Sequence, residues 1–398
     1  MKVAVIGAKG LPAKQGGIEH HCEEIYSRAV DRGHEVDLFA RSSYTGFDSP
    51  ENYYVNGVRV VSLPCLNMGG MDALLSSGLG AHASTGKKYD IIHFHALGPA
   101  LFSWLPKFAT SAKIVVTCHG LDWQRAKWNK ACSQLIKMGE RAAVRFADEI
   151  IVVSEDLQDY FKKTYGRDTT YIPNAASSLG ESDPDFTFGK SIGLEQQRYI
   201  MFLGRLVPEK CPDILIKAFQ KLRSQGWKLA LVGDTSDTDE YSQHLRGLAA
   251  DNKDIVFTGQ LKGARLAEII RGAGLFVLPS ELEGLPLAML EAMQEGIPVL
   301  ASDIPVHKQL VGRDRGMLFQ VGDLNSCIRQ LNWAIHRTEE LAVMAKNAQK
   351  YVKENYNWDR ITADTLGLYR SLLPYKYEIA DTAPELPSDM AVEVGCTP

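Results

Sequence analysis

Short apolar, β-branched runs recur along this chain, each followed by a stretch of helical periodicity, and the series is interrupted once. "KVAVIG", "EVDLFA", "VRVVSLP", "DIIHFHA", "KIVVTCHG" and "EIIVVS" come before the interruption; "YIMFLG", "KLALVGD", "IVFTG", "LFVLPS" and "PVLAS" come after it. Runs this continuously apolar are buried on both faces, and strands joined by crossover helices close as parallel sheets. The polar, turn-rich stretch "AASSLGESDPDFTFGKSIGLEQQR", residues 175–198, separates the two series. With 398 residues the chain is also too long for one ordinary core. The expected fold class is therefore α/β, with two Rossmann-like, doubly wound parallel-sheet domains at residues 1–178 and 190–355. The tail, residues 374–398, has little to bury and is expected to be loose.

The bulk properties exclude several classes. A formal net charge of -4 and a pI near 6.2 give no case for a nucleic-acid binder. The seven cysteines are scattered, odd in number and never in CxxC spacing, which argues for a reducing compartment without structural zinc. The first apolar run is too short for a signal peptide and reads as a β-strand. No run approaches the roughly 18 uninterrupted apolar residues of a membrane span. The expectation is a cytoplasmic protein, with peripheral contact at the inner face of the plasma membrane left open.

Open α/β sheets bind ligands beyond the carboxyl ends of their strands, so residues just after strands carry the chemistry. After the first run, Gly16 and Gly17 stand at the start of a helix, where paired glycines let backbone N–H groups approach an anion. A plain turn pair reads equally well. In "FLGRLVPEK", Arg205 and Lys210 put two cations on one loop, suited to a diphosphate, although a solvated loop containing Glu209 fits too. "PSELEGLPLAMLEAM" sets Glu283 and Glu291 eight positions apart around a helix start. Pro286 fits the first helical position, which would leave the N–H groups near Gly284, Leu285 and Leu287 for a phosphate or hydroxyl. Two carboxylates repel phosphate but accept paired hydroxyl donors from a vicinal diol. Glu291 would take a ribose and Glu283 a sugar ring. Any single E-x7-E pair is commonly just solvated. Taken together, the parts describe a site for a nucleotide diphospho-sugar.

On these residues the chain resembles the retaining glycosyltransferases of family 4, with the two-domain GT-B fold. The matching pieces are "GGIE", "TCHG", "IIVVS", "YIPN", "FLGRLVPEK", "LVGD", "FTGQL", "SELEGLPLAMLEAM" and "GIPVLAS", in the family's order across nearly the whole ordered chain. The resemblance implies transfer of a sugar, glucose or a related hexose, from a UDP-linked donor with retention at the anomeric carbon. The first domain would face the acceptor, the second would hold the donor, and a last helix at about 358–373 would return to the first. It further implies Arg205 and Lys210 as the diphosphate clamp, Glu291 as the ribose contact and Glu283 as the contact to donor-sugar hydroxyls. Gly17 would lie against the diphosphate, the turn around Gly259 and Leu261 would hold the base, and His119 would orient the donor sugar. No metal or other cofactor is expected beyond the nucleotide-sugar cosubstrate. "GAKGLPAKQGGIEHH" and "HGLDWQRAKW" point further to a bacterial polysaccharide-assembly subgroup with a glycan or polyprenyl-diphosphate-linked acceptor. "YIPNAA" departs from the family, which often has glycine after the asparagine, and this leaves Asn174 outside the expected ligand set.

Other features carry less. Asp237 and Asp239 mimic a metal-binding acid pair but sit in an acidic loop. His93 and His95 share one strand face with no Cys or carboxylate partner at ligand spacing, so no metal site is expected there. His20 and His21 could face an acceptor at the cleft mouth or form a helix-surface pair. Lys127, Lys130, Lys137, Arg141 and Arg145 would fall within about 80° of a helical arc. That is either a solvated face or a surface for anionic lipid or a lipid-diphosphate acceptor. The rival functions are a nucleotide-sugar epimerase, which would act on donor alone, and a non-catalytic nucleotide-sugar-binding assembly partner, which would bind donor without transferring it.

Overall fold

The structure is a computed structural model describing residues 1–374 apart from 14–15, 46–51, 65–70, 125–128, 223–225, 235–238 and 251. Lys127, Asp237 and the tail expected to be loose lie outside the described residues. Eight strands form the first sheet: β1 (Lys2–Ile6), β2 (Glu35–Arg41), β3 (Asn52–Val55), β4 (Val58–Leu63), β5 (Ile91–His95), β6 (Lys113–Cys118), β7 (Glu149–Val152) and β8 (Thr170–Tyr171). Six form the second: β9 (Tyr199–Leu203), β10 (Lys228–Val232), β11 (Ile255–Gly259), β12 (Leu275–Leu278), β13 (Val299–Ser302) and β14 (Met317–Phe319).

The spatial orders are β3-β4-β2-β1-β5-β6-β7-β8 and β11-β10-β9-β12-β13-β14. The pairing is parallel throughout except between β3 and β4. The second order is that of a doubly wound dinucleotide-type sheet, and the first is the same arrangement with β3 added at one edge, in a hairpin with β4, and β8 at the other. Each sheet reverses direction at one place, between β1 and β5 and between β9 and β12. A crevice opens there above the strand ends. Strands β5, β12 and β13 are buried along their whole length, which explains why their sequences read as continuous apolar runs rather than alternations.

The edge hairpin turns on Asn56 and Gly57, both with positive φ (48° and 78°), the pattern of a two-residue turn whose twist matches the strands. The final described helix, Trp358–Leu372, packs on the helix Gly17–Asp31 of the first domain. Arg28 reaches Asp359 across that seam at 3.1 Å, and the Trp358 indole donates to the carbonyl of Ala176 at 3.0 Å. Among the described residues no helix is long and apolar enough to cross a membrane.

Candidate functional site

Most of the residues singled out from the sequence cluster on loops at the carboxyl ends of strands, where the two sheets face one another. After β9 the chain runs through Gly204 and Arg205 into a short turn, Pro208–Lys210, before the helix Pro212–Lys221. After β12 it runs through Ser280 and Glu283 to the helix Leu287–Gln294. The amide of Glu281 donates to the carbonyl of Glu209 at 2.9 Å and ties the two loops together. The Lys210 ammonium then meets Glu283 Oε1 at 2.7 Å, and the Ser280 hydroxyl donates to the same oxygen at 2.7 Å.

Both partners are largely buried. Burial by itself would push the Glu283 carboxyl up, but the Lys210 charge and the hydrogen bonds from Lys210 and Ser280 override it and hold it below the usual carboxylate range. His307 is fully buried and donates from Nδ1 to the Ser302 carbonyl at 2.9 Å; burial lowers it to about 4, so it stays neutral beneath the pair. The sequence assigned Lys210 to a phosphate and Glu283 to a sugar as separate tasks. In the structure they hold each other. An ammonium has three donors and a carboxylate two acceptor oxygens, so each keeps capacity for a ligand.

Pro286 is not the first helical residue. Its backbone is extended (φ -78°, ψ 91°) and it is the N-cap; the helix begins at Leu287. The Pro286 carbonyl takes the N–H of Met289 at 3.0 Å and of Leu290 at 3.1 Å. Gly284 and Leu285 therefore belong to the approach to the helix rather than to its first turn.

Gly284 has a different role. A Cβ built on it would fall 2.0 Å from the carbonyl oxygen of His119, so the two domains touch there backbone to backbone. A Cβ on Gly17 would fall 3.2 Å from Leu287 Cδ1, which brings the starts of the two helices together across the cleft. Gly16, at φ 100°, leaves room for Glu19: a Cβ would come 2.2 Å from Glu19 Oε2. Glu19 is buried and accepts the Lys9 amide at 3.0 Å, and Glu23 accepts the Ala13 amide at 2.8 Å, so two acids of that helix staple the loop after β1. The sequence reading passed over both, although "GGIEHHCEE" displayed them.

Glu291 lies one turn into its helix, partly exposed, beside Ser177 of the interdomain segment. Burial pushes its carboxyl up to about 7, against hydrogen bonds from Ser177 that pull it down. Between the ordinary value of 4.5 and about 7 the folded chain holds a proton that the unfolded chain has released. This group's contribution to stability therefore falls as pH rises through that window. Glu291→Gln is expected to leave Tm unchanged at pH 4.5 and to raise it at pH 8, measured by differential scanning calorimetry. Equal Tm values for variant and parent at pH 8 would contradict the assignment.

The Gly259 carbonyl is taken by the amide of Gly233 at 3.0 Å and by the Thr258 hydroxyl at 2.9 Å, so the turn proposed to hold a base is itself braced against the loop after β10. Leu261 packs against the core edge.

On the other side of the cleft, His119 follows β6. Its ring lies 5.4 Å from that of His95 and 4.8 Å from that of His21. His95 Nδ1 is 3.1 Å from His119 Nε2, and the Tyr26 hydroxyl bonds His95 Nε2 at 2.7 Å and His93 Nδ1 at 2.9 Å. His93 also meets Tyr369 of the last helix and Thr117. His21 is not on a helix surface: it is buried and donates from Nδ1 to the Asn174 carboxamide oxygen at 2.5 Å. Buried imidazoles need such partners, and the neighbouring elements provide them. His20 packs its ring against Trp358 and lies 3.7 Å from Glu24. One metal-competent group stands out among the described residues: ligand atoms of His21, His95 and His119 all lie within 4.8 Å of one another.

Of the basic stripe, Lys130, Arg141 and Arg145 are exposed on the helix Lys130–Phe146, whereas Lys137 lies 4.5 Å over the Trp123 ring. The one acid in the stripe, Glu140, is wholly buried and takes the Trp123 indole at 2.9 Å together with the hydroxyls of Tyr160 and Tyr165.

Two family models match consecutive parts of the chain: Glycosyltransferase Family 4 over residues 15–177, and Glycosyl transferases group 1 over residues 185–351. The chain belongs to glycosyltransferase family 4. It is 28% identical to the D-inositol 3-phosphate glycosyltransferase of Gordonia bronchialis over 92% of this chain and 88% of that one. It is 26% identical to the phosphatidyl-myo-inositol mannosyltransferase of Mycolicibacterium smegmatis over 90% of each. Among solved structures, sucrose-phosphate synthase from Thermosynechococcus elongatus superposes with a TM-score of 0.81 at 22% identity, covering 93% of this chain and 98% of that one. Anabaena HepE, solved in complex with UDP and glucose, superposes with a TM-score of 0.76 at 22% identity, covering 93% of this chain and 100% of that one. The fold of this family-4 glycosyltransferase is thus GT-B, and transferase activity goes with the family.

Proposed function

We propose that this glycosyltransferase moves a hexose, glucose or a near relative, from a UDP-linked donor to a glycan or polyprenyl-diphosphate-linked acceptor in polysaccharide assembly, with retention at the anomeric carbon. The observation that carries the reading is the meeting of Lys210, Glu283 and the helix start at Leu287, on loops after β9 and β12, with His119 across the cleft. A diphosphate fits beside Arg205, Lys210 and the positive end of that helix dipole. Glu283 and Glu291 then face the sugar and ribose hydroxyls.

In the step itself, the bond from the anomeric carbon to the donor's phosphate oxygen breaks. The acceptor oxygen bonds to that carbon from the same face, and its proton passes to the departing phosphate oxygen. Negative charge grows on the diphosphate as the bond stretches. Arg205 and Lys210 are placed to stabilise it, an electrostatic contribution that is usually the largest single one in catalysis. His119 orients the sugar. No separate base and no metal on the diphosphate enter this account.

A donor screen by thermal shift tests the first half. UDP-glucose comes first, because HepE has also been solved with it. A correct donor at a hundred times its Kd stabilises the fold by about 2.7 kcal/mol through mass action. NMR of the product tests the second half. Absence of a shift with any nucleotide sugar, or an inverted anomeric configuration, would overturn the reading. Binding without transfer across an acceptor panel would favour the non-catalytic partner instead.

A further inference from the structure

We propose that His21, His95 and His119 form a binding site for one transition-metal dication of the zinc class on the acceptor-side wall of the cleft. The three rings come from three elements: the helix Gly17–Asp31, the end of β5 and the loop after β6. Their ligand atoms already lie within 4.8 Å of one another, and the His95–His119 pair at 3.1 Å. A tetrahedral ion with metal–nitrogen bonds of about 2.0–2.1 Å needs ligand separations of roughly 3.4 Å. The His95–His119 pair is already close to that separation, and the widest pair has at most about 1.4 Å to close.

For His21 and His95 the outer contacts are those that metal-bound imidazoles use. A ligating histidine gives its second ring nitrogen to a polar partner, which fixes the ring and its tautomer. His21 Nδ1 donates to the Asn174 carboxamide oxygen, so Nε2 carries the lone pair. His95 Nε2 is held by the Tyr26 hydroxyl, leaving Nδ1 toward His119.

Three imidazoles with no carboxylate select zinc, copper, nickel or cobalt over magnesium or calcium. Three protein ligands leave a fourth position open. The site is separate from the diphosphate clamp but not remote, because the His119 carbonyl abuts Gly284. An ion that draws the His119 ring toward His21 would take it from the donor sugar, so occupancy is expected to lower transfer. That last consequence rests on the proposed function. The binding itself does not.

The test uses the full chain without an affinity tag, stripped by a chelator and titrated with Zn2+ against a chromophoric competitor in the absence of any nucleotide sugar. One Zn2+ per chain is expected. Asn174→Ala, which touches no metal in this account, is expected to weaken binding by about 10–100-fold, as loss of an outer partner does. His21→Ala should weaken it further, and His336→Ala, at an exposed helix end, should not change it. Co2+ should give the visible bands of a tetrahedral nitrogen site without thiolate charge transfer, which excludes capture by the cysteines. Sub-stoichiometric zinc, or affinity unmoved by both His21→Ala and Asn174→Ala, would overturn the proposal. Circular dichroism of each variant separates loss of the site from loss of the fold.

Discussion

Lys210→Ala is expected to lower kcat/KM at least about a hundredfold, the effect of removing one preorganised donor from a charge-building transition state. The structure adds a second consequence that has to be kept apart from the first. Lys210 neutralises Glu283 at 2.7 Å in a largely buried place, so the alanine variant strands a carboxylate. Breaking a buried pair by removing one partner typically costs about 3–5 kcal/mol of stability. With the lysine gone, burial is opposed only by the Ser280 hydrogen bond, and the Glu283 pKa rises above its unfolded value. A raised acid is stabilising when protonated, so the variant should regain Tm as pH falls, the reverse of the pair in the parent. Lys210→Ala/Glu283→Gln is expected to recover most of the stability at pH 8 and none of the rate. Kinetics and calorimetry on the three proteins decide the matter. A stable double variant with near-parental kcat/KM would remove the cation from the account of catalysis.

That coupling was not legible in the sequence, and the reason is physical. Features that live on one segment announced themselves: the run of buried strands, the two cations after "FLG", the two acids around a helix start. These depend on local spacing and on which residue types a strand or helix can accept. Lys210 and Glu283 are 73 residues apart, and only the adjacency of β9 and β12 at the reversal of the sheet brings them together. The histidines teach the same lesson. In the sequence His93 and His95 argue against a metal site because no Cys or carboxylate stands at ligand spacing from them. The fold supplies the neighbours from other elements, His21 from a helix and His119 from the next strand's loop. Asn174 left the ligand set on its departure from the family pattern, and it turns out to hold His21 instead.

Strand edges were hidden for a different reason. β8 has two residues and β14 three, too short for any periodicity to register, and both lie at sheet edges. β3 was readable in principle: the Asn56-Gly57 pair is a strong hairpin signal, and only the unremarkable run before it concealed the strand. Pro286 slipped by one position because proline suits both the N-cap and the first helical residue. Only its ψ of 91° tells them apart.

Gly284→Ala is expected to cost about a hundredfold in kcat/KM while leaving Tm almost unchanged. Gly284 is absent from the positive-φ residues, so alanine can adopt its backbone conformation without strain. The glycine is needed for the approach of the opposite domain: a Cβ would sit 2.0 Å from the His119 carbonyl oxygen and 3.3 Å from Gly120 Cα. Neither is the end of a flexible side chain, so the contact is relieved only by parting the two domains by about an ångström. Misplacing reacting groups by that distance costs on the order of 10²-fold, because the pre-set geometry of donor and acceptor is lost. The donor's own loops stay intact, so donor affinity should change far less than kcat. Gly247→Ala is the matched control: nothing lies within 4 Å of a Cβ built there, and parental kcat/KM is expected. Small-angle scattering with saturating donor should show the Gly284→Ala cleft wider than the parent's. Parental kcat/KM in a folded Gly284→Ala protein would mean that catalysis does not require the two backbones to meet.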